Sequence, residues 1–600
     1  MNDKIRSLLH TAWNEPRHFF FWLAMLSVCG LAAAAGGAAL VGTKLVLAFL
    51  ALGCALCLAV SVPAFILAWI PPVRRLFSWV LRWRFVVLGC LVTLVALFYA
   101  VEDWRGRRAW QDYKHAGEAK GERFDLASFI PPPVPDDQNF FETLLWAGLH
   151  FVQTNGNTIW SDPDWGTHFK FNAWSPNGKE GPTIADWVKA QRVDLAAWQA
   201  YYRGTNNWFP AAGGPPTNYF PVAKDAQTPA ADVLLALGRF NENRQVLIAA
   251  AARPQARFWV NYEAGFGAML PHLSRLKMTS QYVSLHATTA LRAGDTATAL
   301  EDLQLSFRLI ESVRSEPIVI SHLVRAAMLQ IVLQPVWEGL ADRQWTDADL
   351  RVIERALGEL DFLADYQRSM RAERAADAWL MDYFRKRGVD GLNEMYEIMG
   401  QLGTPQGRAQ GKQFLSKATF PLIPAGWFDQ NKLTFCLIHE QYLLPLVDQG
   451  QRVVSPAAER YSESIIEQRG WRPYDMFSRL LLHDMFARMV PGGMPATAEK
   501  YAFGQACADL ARVACALERY RLANGQFPEA LAALAPKFMA SLPHDVINGQ
   551  PLKYRRSDDG LFVLYSVGLN ETDDGGQIVL TESGNADINK GDWVWRYPAK

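Results

Sequence analysis

Cysteine is scarce and scattered in this 600-residue chain. Of seven, Cys29, Cys54, Cys57 and Cys90 lie in apolar runs, leaving Cys436, Cys507 and Cys515 for the remainder. That excludes a disulfide framework, and the soluble part has no cysteine pair at zinc-site spacing. Cys507 and Cys515 fall on one expected helix about 12 Å apart in rise, beyond disulfide reach, so any bridge would have to use Cys436. Packing as small apolar groups is the simpler role for all three. A charge excess is also missing: Lys plus Arg equals Asp plus Glu at 60 each, which argues against a nucleic-acid or polyanionic partner. The soluble part contains no HExxH, no GxSxG and no phosphate-cradling glycine loop. His439-Glu440 and His483-Asp484 are adjacent residues, which leave a helix on different sides and form no dyad by themselves.

Charge is nearly absent from one long stretch. Between Phe19 and Ile70 the only charged residue is Lys44, and a run of that length holds two membrane spans of roughly 20 residues each. We place them at 19–41 and 45–70, the second stopped by Pro71-Pro72. A third uncharged run, 85–101, is within the usual span length of about 17–25 residues. The small residues Ala32–Gly36 would suit a cleavable signal peptide, but two further apolar runs favour retained spans. Lys4, Arg6 and Arg17 precede the first span, Arg74, Arg75, Arg82 and Arg84 lie between the second and third, and the first connection has only Lys44. Three spans put both basic segments on one side, the cytoplasmic one, with residues 1–18 a cytoplasmic tail and 103–600 outside. Arg105, Arg107 and Arg108 pull the other way; a third run lying on the membrane would leave the bulk cytoplasmic. No Asp, Glu or His interrupts the spans, which argues for a tether and against a transporter.

Residues 103–130 read first as a charged, solvated juxtamembrane helix, and Pro131–Pro135 as a stiff boundary. The next segment, 131–229, is rich in Trp and Pro, with Trp146, Trp160, Trp165, Trp174, Trp187, Trp198 and Trp208 among Asn, Gly and Asp. Trp160, Trp165 and Trp174 are candidate glycan contacts, since indole faces stack on sugar rings; burial in a core or domain interface is the competing role. Asp136-Asp137, Asp162 and Asp164 are acid groups beside these aromatics. Paired carboxylates about 5–9 Å apart serve glycoside hydrolysis, whereas turn and cap duties ask less of them. Residues 230–490 carry helical periodicity throughout. Within them 285–310 has the form of a tetratricopeptide-type hairpin, turning at Arg292–Asp295 with Ala299, Leu300, Leu303 and Phe307 inward; no 34-residue period surrounds it, so a bundle or irregular solenoid is predicted.

The pattern changes after Pro491-Gly492-Gly493. One amphipathic helix is expected over 499–523, ended by Asn524-Gly525, then a short helix at 528–534 and strands at 552–556, 561–567 and 592–597. The string LERYRLANGQFPEAL (517–531), followed by LPHD, PLKYR (551–555), LYSVGLN (564–570) and DDGG (573–576), resembles the globular domain of type II secretion major pseudopilins. The resemblance covers about the last hundred residues, 496–600, and implies a long helix on a small antiparallel sheet with an acidic loop that often binds calcium. By that resemblance Asn570, Asp573, Asp574, Asp587 and Asp592 would supply calcium's oxygen ligands; a plain solvated loop is the alternative. Residues 485–505 are too polar for the apolar polymerisation helix of a pseudopilin, so pilus assembly does not carry over. The segment GRRAWQDYKHAGEAKGERFDLASFIPPPVPDDQNF (106–140), with the helical middle and this tail, is similar to large membrane-anchored proteins of planctomycete- and verrucomicrobium-type bacteria. That family brings no assigned activity.

The sequence thus predicts a mainly α protein: three transmembrane helices (19–102 in all), a large helical soluble domain over 230–490 and a small α+β pseudopilin-like domain at the C-terminal end. The expected function is a multi-pass inner-membrane scaffold or interaction protein of the bacterial envelope, with other envelope proteins as partners. The competing expectation is an extracytoplasmic carbohydrate-active enzyme or glycan binder.

Overall fold

The computed structural model describes residues 83–149, 185–204, 217–262, 267–402, 420–469 and 496–598, with short stretches such as 19–25, 151–154, 157–160 and 207–209 and isolated positions between them. The chain divides into two compact units, Met1–Trp104 and Arg105–Lys600. The protein is mainly helical, with small antiparallel sheets.

Helix α1 (Arg84–Glu118) is 35 residues long. Its apolar stretch has a mean hydropathy of 2.3 and is only 6% buried, with Phe85 76% exposed. It is long and apolar enough to cross a membrane. The expected third span and the charged helix after it are one element, because nothing between Val101 and Glu118 breaks a helix. The spans expected at 19–41 and 45–70 lie mostly outside the described residues. A second helix of span-like length and hydropathy, Val319–Ala341, is 67% buried and belongs to the core. Past Arg105, α1 lies against the helical body: a side chain at Gly106 would run into the Gly426 carbonyl, and Tyr113 Oη donates to Glu440 at 2.8 Å.

The middle of the chain is built from capped helices. They are α2 (Leu195–Arg203), α3 (Pro229–Leu237), α4 (Asn241–Ala251), α5 (Pro271–Arg292), α6 (Thr296–Ser312), α7 (Val319–Ala341), α8 (Asp347–Gly358), α9 (Phe362–Arg387), α10 (Val389–Leu402), α11 (Ala425–Ile438) and α12 (Pro456–Arg469). Asp194, Thr228, Asp295 and Asp361 each accept a backbone amide at a helix start, and Thr346 with Asp349 forms a reciprocal capping box on α8, satisfying amides that have no partner within the helix. The expected hairpin is present. Gly294, at φ +84°, takes the left-handed turn that glycine makes without strain. Ala299, Leu303 and Phe307 are buried beneath it.

The last helix, α13 (Thr497–Asn524), is the central element. It packs against α7, α8 and α9 as well as against the C-terminal strands, and from Ala498 to Arg519 most of its residues are buried. Alanine, glycine and cysteine on the remaining faces let the neighbours approach. Its polar side chains are tied to those neighbours. Gln505 accepts the Phe362 amide at 2.9 Å, the Tyr501 and Ser369 hydroxyls meet at 3.0 Å, and Arg519 reaches Glu354 at 2.6 Å and Asp347 at 3.0 Å. Ala496 caps nothing with a side chain; the Glu459 carboxylate of α12 takes the Glu499 amide instead. After Gly525, at φ +83°, come β3 (Lys553–Arg556), β4 (Phe562–Ser566), β5 (Ile578–Leu580), β6 (Ala586–Gly591) and β7 (Trp593–Arg596). The main sheet is antiparallel in the order β7-β4-β3, with Trp593 opposite Ser566 and Lys553 opposite Tyr565. The β5–β6 hairpin was not anticipated.

Two outcomes follow from α13. Deleting residues 496–600 is expected to expose the helical middle to limited proteolysis rather than release two stable pieces, because the helix fills the core between α7, α8 and α9. The second concerns acidity. Burial, with Glu499 and Glu463 beside it, pushes Glu459 from 4.5 up to about 8. A carboxyl group raised on folding contributes stability that is full below pH 4.5 and lost as pH rises through about 8. Thermal denaturation should therefore show Tm falling across that window, and Glu459→Gln should flatten the fall and stabilise by on the order of 2 kcal/mol at pH 9.

Candidate ligand-binding site

Asn570, Asp573, Asp574 and Asp592 meet in the turn that joins β4 to β5. The close passage of two strands shapes it: a side chain at Gly568 would strike the Gly591 carbonyl, and one at Gly591 the Gln577 carbonyl at 2.8 Å. Asp592 is buried, and its two oxygens accept the Gly576 amide at 2.6 Å and the Asp574 amide at 3.3 Å. Asp574 also accepts the Asn570 side-chain amide at 2.8 Å. Asp573 accepts Tyr565 Oη at 2.9 Å and the Gly575 amide at 3.1 Å, with the Lys553 ammonium at 3.2 Å. These hydrogen bonds, Tyr565 first, hold its carboxyl below the usual range. Asp587 is engaged elsewhere, with the Asn589 amide at 3.1 Å and Lys590 at 3.8 Å. Among the described residues no three His, Cys, Asp or Glu side chains form a metal-binding group. The loop's carboxylates are bound to its own amides and to Lys553.

Of the tryptophans, Trp146, Trp187 and Trp198 are buried and Trp208 is 51% exposed. Trp160 lies on β2 (Asn157–Trp160), which pairs with β1 (Phe151–Thr154), but its side chain, like Trp165, Trp174, Asp162 and Asp164, lies outside the described residues. Asp136 and Asp137 are exposed in a 3-10 turn. The Trp187 and Trp595 rings lie 5.0 Å apart and tilted by 42°, so the Trp-rich segment and the C-terminal sheet share an aromatic contact.

Beside that contact is a cavity of about 330 Å3. Its walls come from the 3-10 turn Trp187–Lys189 with Asp186, from Trp198 of α2, from Gln281, Ser284 and Leu285 of α5, from Gln330, Ile331 and Gln334 of α7, and from Asn585 in the β5–β6 hairpin. A polar clasp sets the walls apart. The Trp187 indole donates to the Gln330 carbonyl at 3.2 Å, the Gln334 amide to the Gln191 carbonyl at 2.9 Å, and the Val193 amide to Glu338 at 2.8 Å. Lys189 bonds the Gly584 carbonyl at 3.1 Å and neighbours Asp186 at 3.6 Å. The Gln330 and Gln334 side-chain amides are buried rather than open to the cavity, and Gln330 is directed at the Cys507 thiol of α13. Sequence reasoning missed the cavity, since its walls come from segments far apart in the chain.

Acid–base chemistry finds little purchase elsewhere. Ser321 Oγ donates to Glu316 at 2.5 Å and His272 Nε2 meets the same carboxylate at 2.7 Å. The carboxylate rather than the imidazole receives the serine proton, and all three groups are sealed from solvent, so no activated nucleophile results. His439 Nε2 meets Asp377 at 2.9 Å, also buried; Glu440 faces Tyr113 instead, and His483-Asp484 lies outside the described residues. A second, polar cavity of about 310 Å3 holds Asp509, Arg512, Asp361 and Arg452. Its charges are paired, Arg452 with Asp361 at 2.8 Å and Arg512 with Asp509 at 3.2 Å. Cys436, Cys507 and Cys515 are free and buried; burial pushes the Cys436 and Cys507 thiols up to about 12, leaving them inert packing groups.

No family model, curated protein or solved structure matches this chain.

The acidic loop makes a separable prediction. Asp592→Ala leaves two buried amides unmet and should cost about 1–3 kcal/mol in thermal denaturation. Calcium coordination at the loop would raise Tm in calcium over that in a chelator, with Asp574→Asn removing the rise and Asp587→Asn leaving it.

Proposed function

We propose that this protein is a membrane-tethered scaffold or interaction protein of the bacterial envelope, crossing the inner membrane three times and carrying residues 103–600 outside it, without catalysis of its own. The observation that carries the reading is the burial of α13. A pseudopilin-like helix that serves assembly needs a free apolar face, whereas here that helix is spent holding the C-terminal sheet to α7, α8 and α9. The module is thereby presented as one part of a large body rather than as a polymerising unit. The exposed apolar stretch of α1 supports the tether, since so large a water-facing apolar surface is unfavourable without lipid around it. Sealed histidine–carboxylate pairs and inert thiols support a non-catalytic role.

The side of the membrane decides the reading. A phosphatase that is active only outside the cytoplasm, fused after residue 130, is expected to be active in intact cells, and a cytoplasm-dependent reporter at the same position silent. The reverse pattern overturns the three-span arrangement. Cross-linking in intact cells should then couple the soluble part to other envelope proteins; recovery of the chain with no such protein attached overturns the scaffold role.

A further inference from the structure

We propose that the end of the helical body that α1 enters rests on an anionic lipid surface, with Pro421 and Leu422 dipping among the lipids and Arg385, Lys386 and Arg387 meeting phospholipid headgroups. The inference rests on α1 crossing the membrane, and it holds for either side of that membrane.

Three contacts set the direction of α11 against the part of α1 that follows Arg105. A side chain at Gly106 would strike Gly426, the Lys432 ammonium is 5.6 Å from the centre of the Trp110 ring, and Tyr113 donates to Glu440 at 2.8 Å. The two helices run the same way, so the start of α11 lies beside the residues that directly follow the apolar run. Helix α9 runs against them. Asp377 meets His439 at 2.9 Å, whereas Arg385, two turns further along α9, reaches back to Asp429 at 3.8 Å. The C-terminal turn of α9 and the start of α11 are therefore at one end of the body. The 3-10 turn Phe420–Leu422 is there too, since a side chain at Gly388 would be 3.9 Å from the Phe420 ring.

Chain geometry places that end at headgroup depth. The uncharged run stops at Val101, and Gly106 is about 8 Å further on at helical rise. The polar layer on each side of a bilayer is roughly 5–8 Å deep. Arg105, Arg107 and Arg108 are exposed and suit that level. At the same depth Phe420 is buried, but Leu422 is 64% exposed and Pro421 is exposed with it; apolar side chains here gain by entering the acyl boundary. Arg385, Lys386 and Arg387 stand exposed beside them. Arg385 has Asp382 at 3.2 Å and Arg387 has Glu394 at 2.7 Å, but pairs this open to solvent are weak and leave N–H groups for phosphate oxygens. Apolar tip and basic rim together match an anionic leaflet. A protein partner would first have to displace the headgroups.

The test uses the full chain reconstituted in vesicles of phosphatidylcholine, with or without phosphatidylglycerol, containing a trace of phosphatidylcholine with a diazirine near the glycerol end of one acyl chain. After illumination, lipid adducts are mapped by mass spectrometry. Adducts are expected on 85–101 and on 420–424, the latter increased by phosphatidylglycerol, and not on the equally exposed Val579 and Leu580 of the β5–β6 hairpin. Leu422→Glu should lower the 420–424 adducts about threefold or more and leave those on 85–101 unchanged. Lys386→Glu, at an exposed site, should lower them only where phosphatidylglycerol is present, and it decides the matter if Leu422→Glu fails to fold. Adducts on 85–101 with none on 420–424 overturn the proposal while leaving the membrane crossing intact, and adducts on neither overturn both. Equal labelling of 420–424 with and without phosphatidylglycerol also overturns it.

Discussion

A helix buried on every side has to be satisfied on every side, and α13 imposes that condition on the rest of the protein. Its backbone is closed upon itself, but Tyr501, Gln505, Asp509 and Arg519 enter a medium where an unpaired polar group is costly. Asp509 is met within the helix by Gln505 and Arg512, and the other three fix neighbours: Tyr501 meets Ser369 of α9, Gln505 takes the first amide of α9, and Arg519 joins two acids of α8. Helices that could slide along an apolar contact are held in register by these bonds. The C-terminal sheet, in turn, packs on a helix whose other faces are already committed, so the sheet and the helical middle share one continuous core.

The middle of the chain uses the same device with full charges. Arg325 is buried between Asp365, Glu311 at 2.5 Å and the Ile310 carbonyl at 2.9 Å. Burial works to raise Asp365, but the His322 imidazole 3.7 Å away and Arg325 outweigh it and hold the carboxyl at about 2. Arg244 joins Asp302 and Glu301, both at 2.6 Å, and His286 Nδ1 meets the other oxygen of Asp302 at 2.6 Å. Buried pairs of this kind add little net stability over apolar packing, but removing one partner is strongly destabilising. They favour one arrangement of α4, α5, α6, α7 and α9 over near alternatives. For the same reason these histidines are poorly placed for catalysis: the groups that would shuttle protons are engaged in holding helices together.

Local features were legible in the sequence and distant ones were not. The end of α13 was readable because Asn524-Gly525 is a helix stop, and the hairpin at 285–310 because glycine and small residues mark its turn. The strands at Lys553–Arg556, Phe562–Ser566 and Trp593–Arg596 followed from alternation and β-branched or aromatic residues. What failed was the estimate of how many faces of α13 are covered. An amphipathic helix buries one face, whereas Ala502, Ala506, Ala511 and Ala516 are buried as well; small residues carry little periodic signal and only the packed structure shows what approaches them. The β5–β6 hairpin escaped because its exposed Val579 and Leu580 give no alternation. Of the acidic stretch, only coordinates show that Asp592 points inward to two amides while Asp587 turns to Lys590.

The cavity beside Trp187 shows why such a site is invisible along the chain. Its walls come from four segments separated by up to several hundred residues, and each is polar for a local reason: Asp186 starts a 3-10 turn, Gln334 bonds Glu338 one turn on at 2.9 Å, Asn585 sits in a hairpin. Trp187 and Val188 are buried in the core, and their segment is joined to α7 by hydrogen bonds from its indole and backbone as well. A clasp of that kind keeps the segment in place. The bonds fix the segment to α7 at defined points, so that residues far apart in the chain meet at one place although none of them signals it locally.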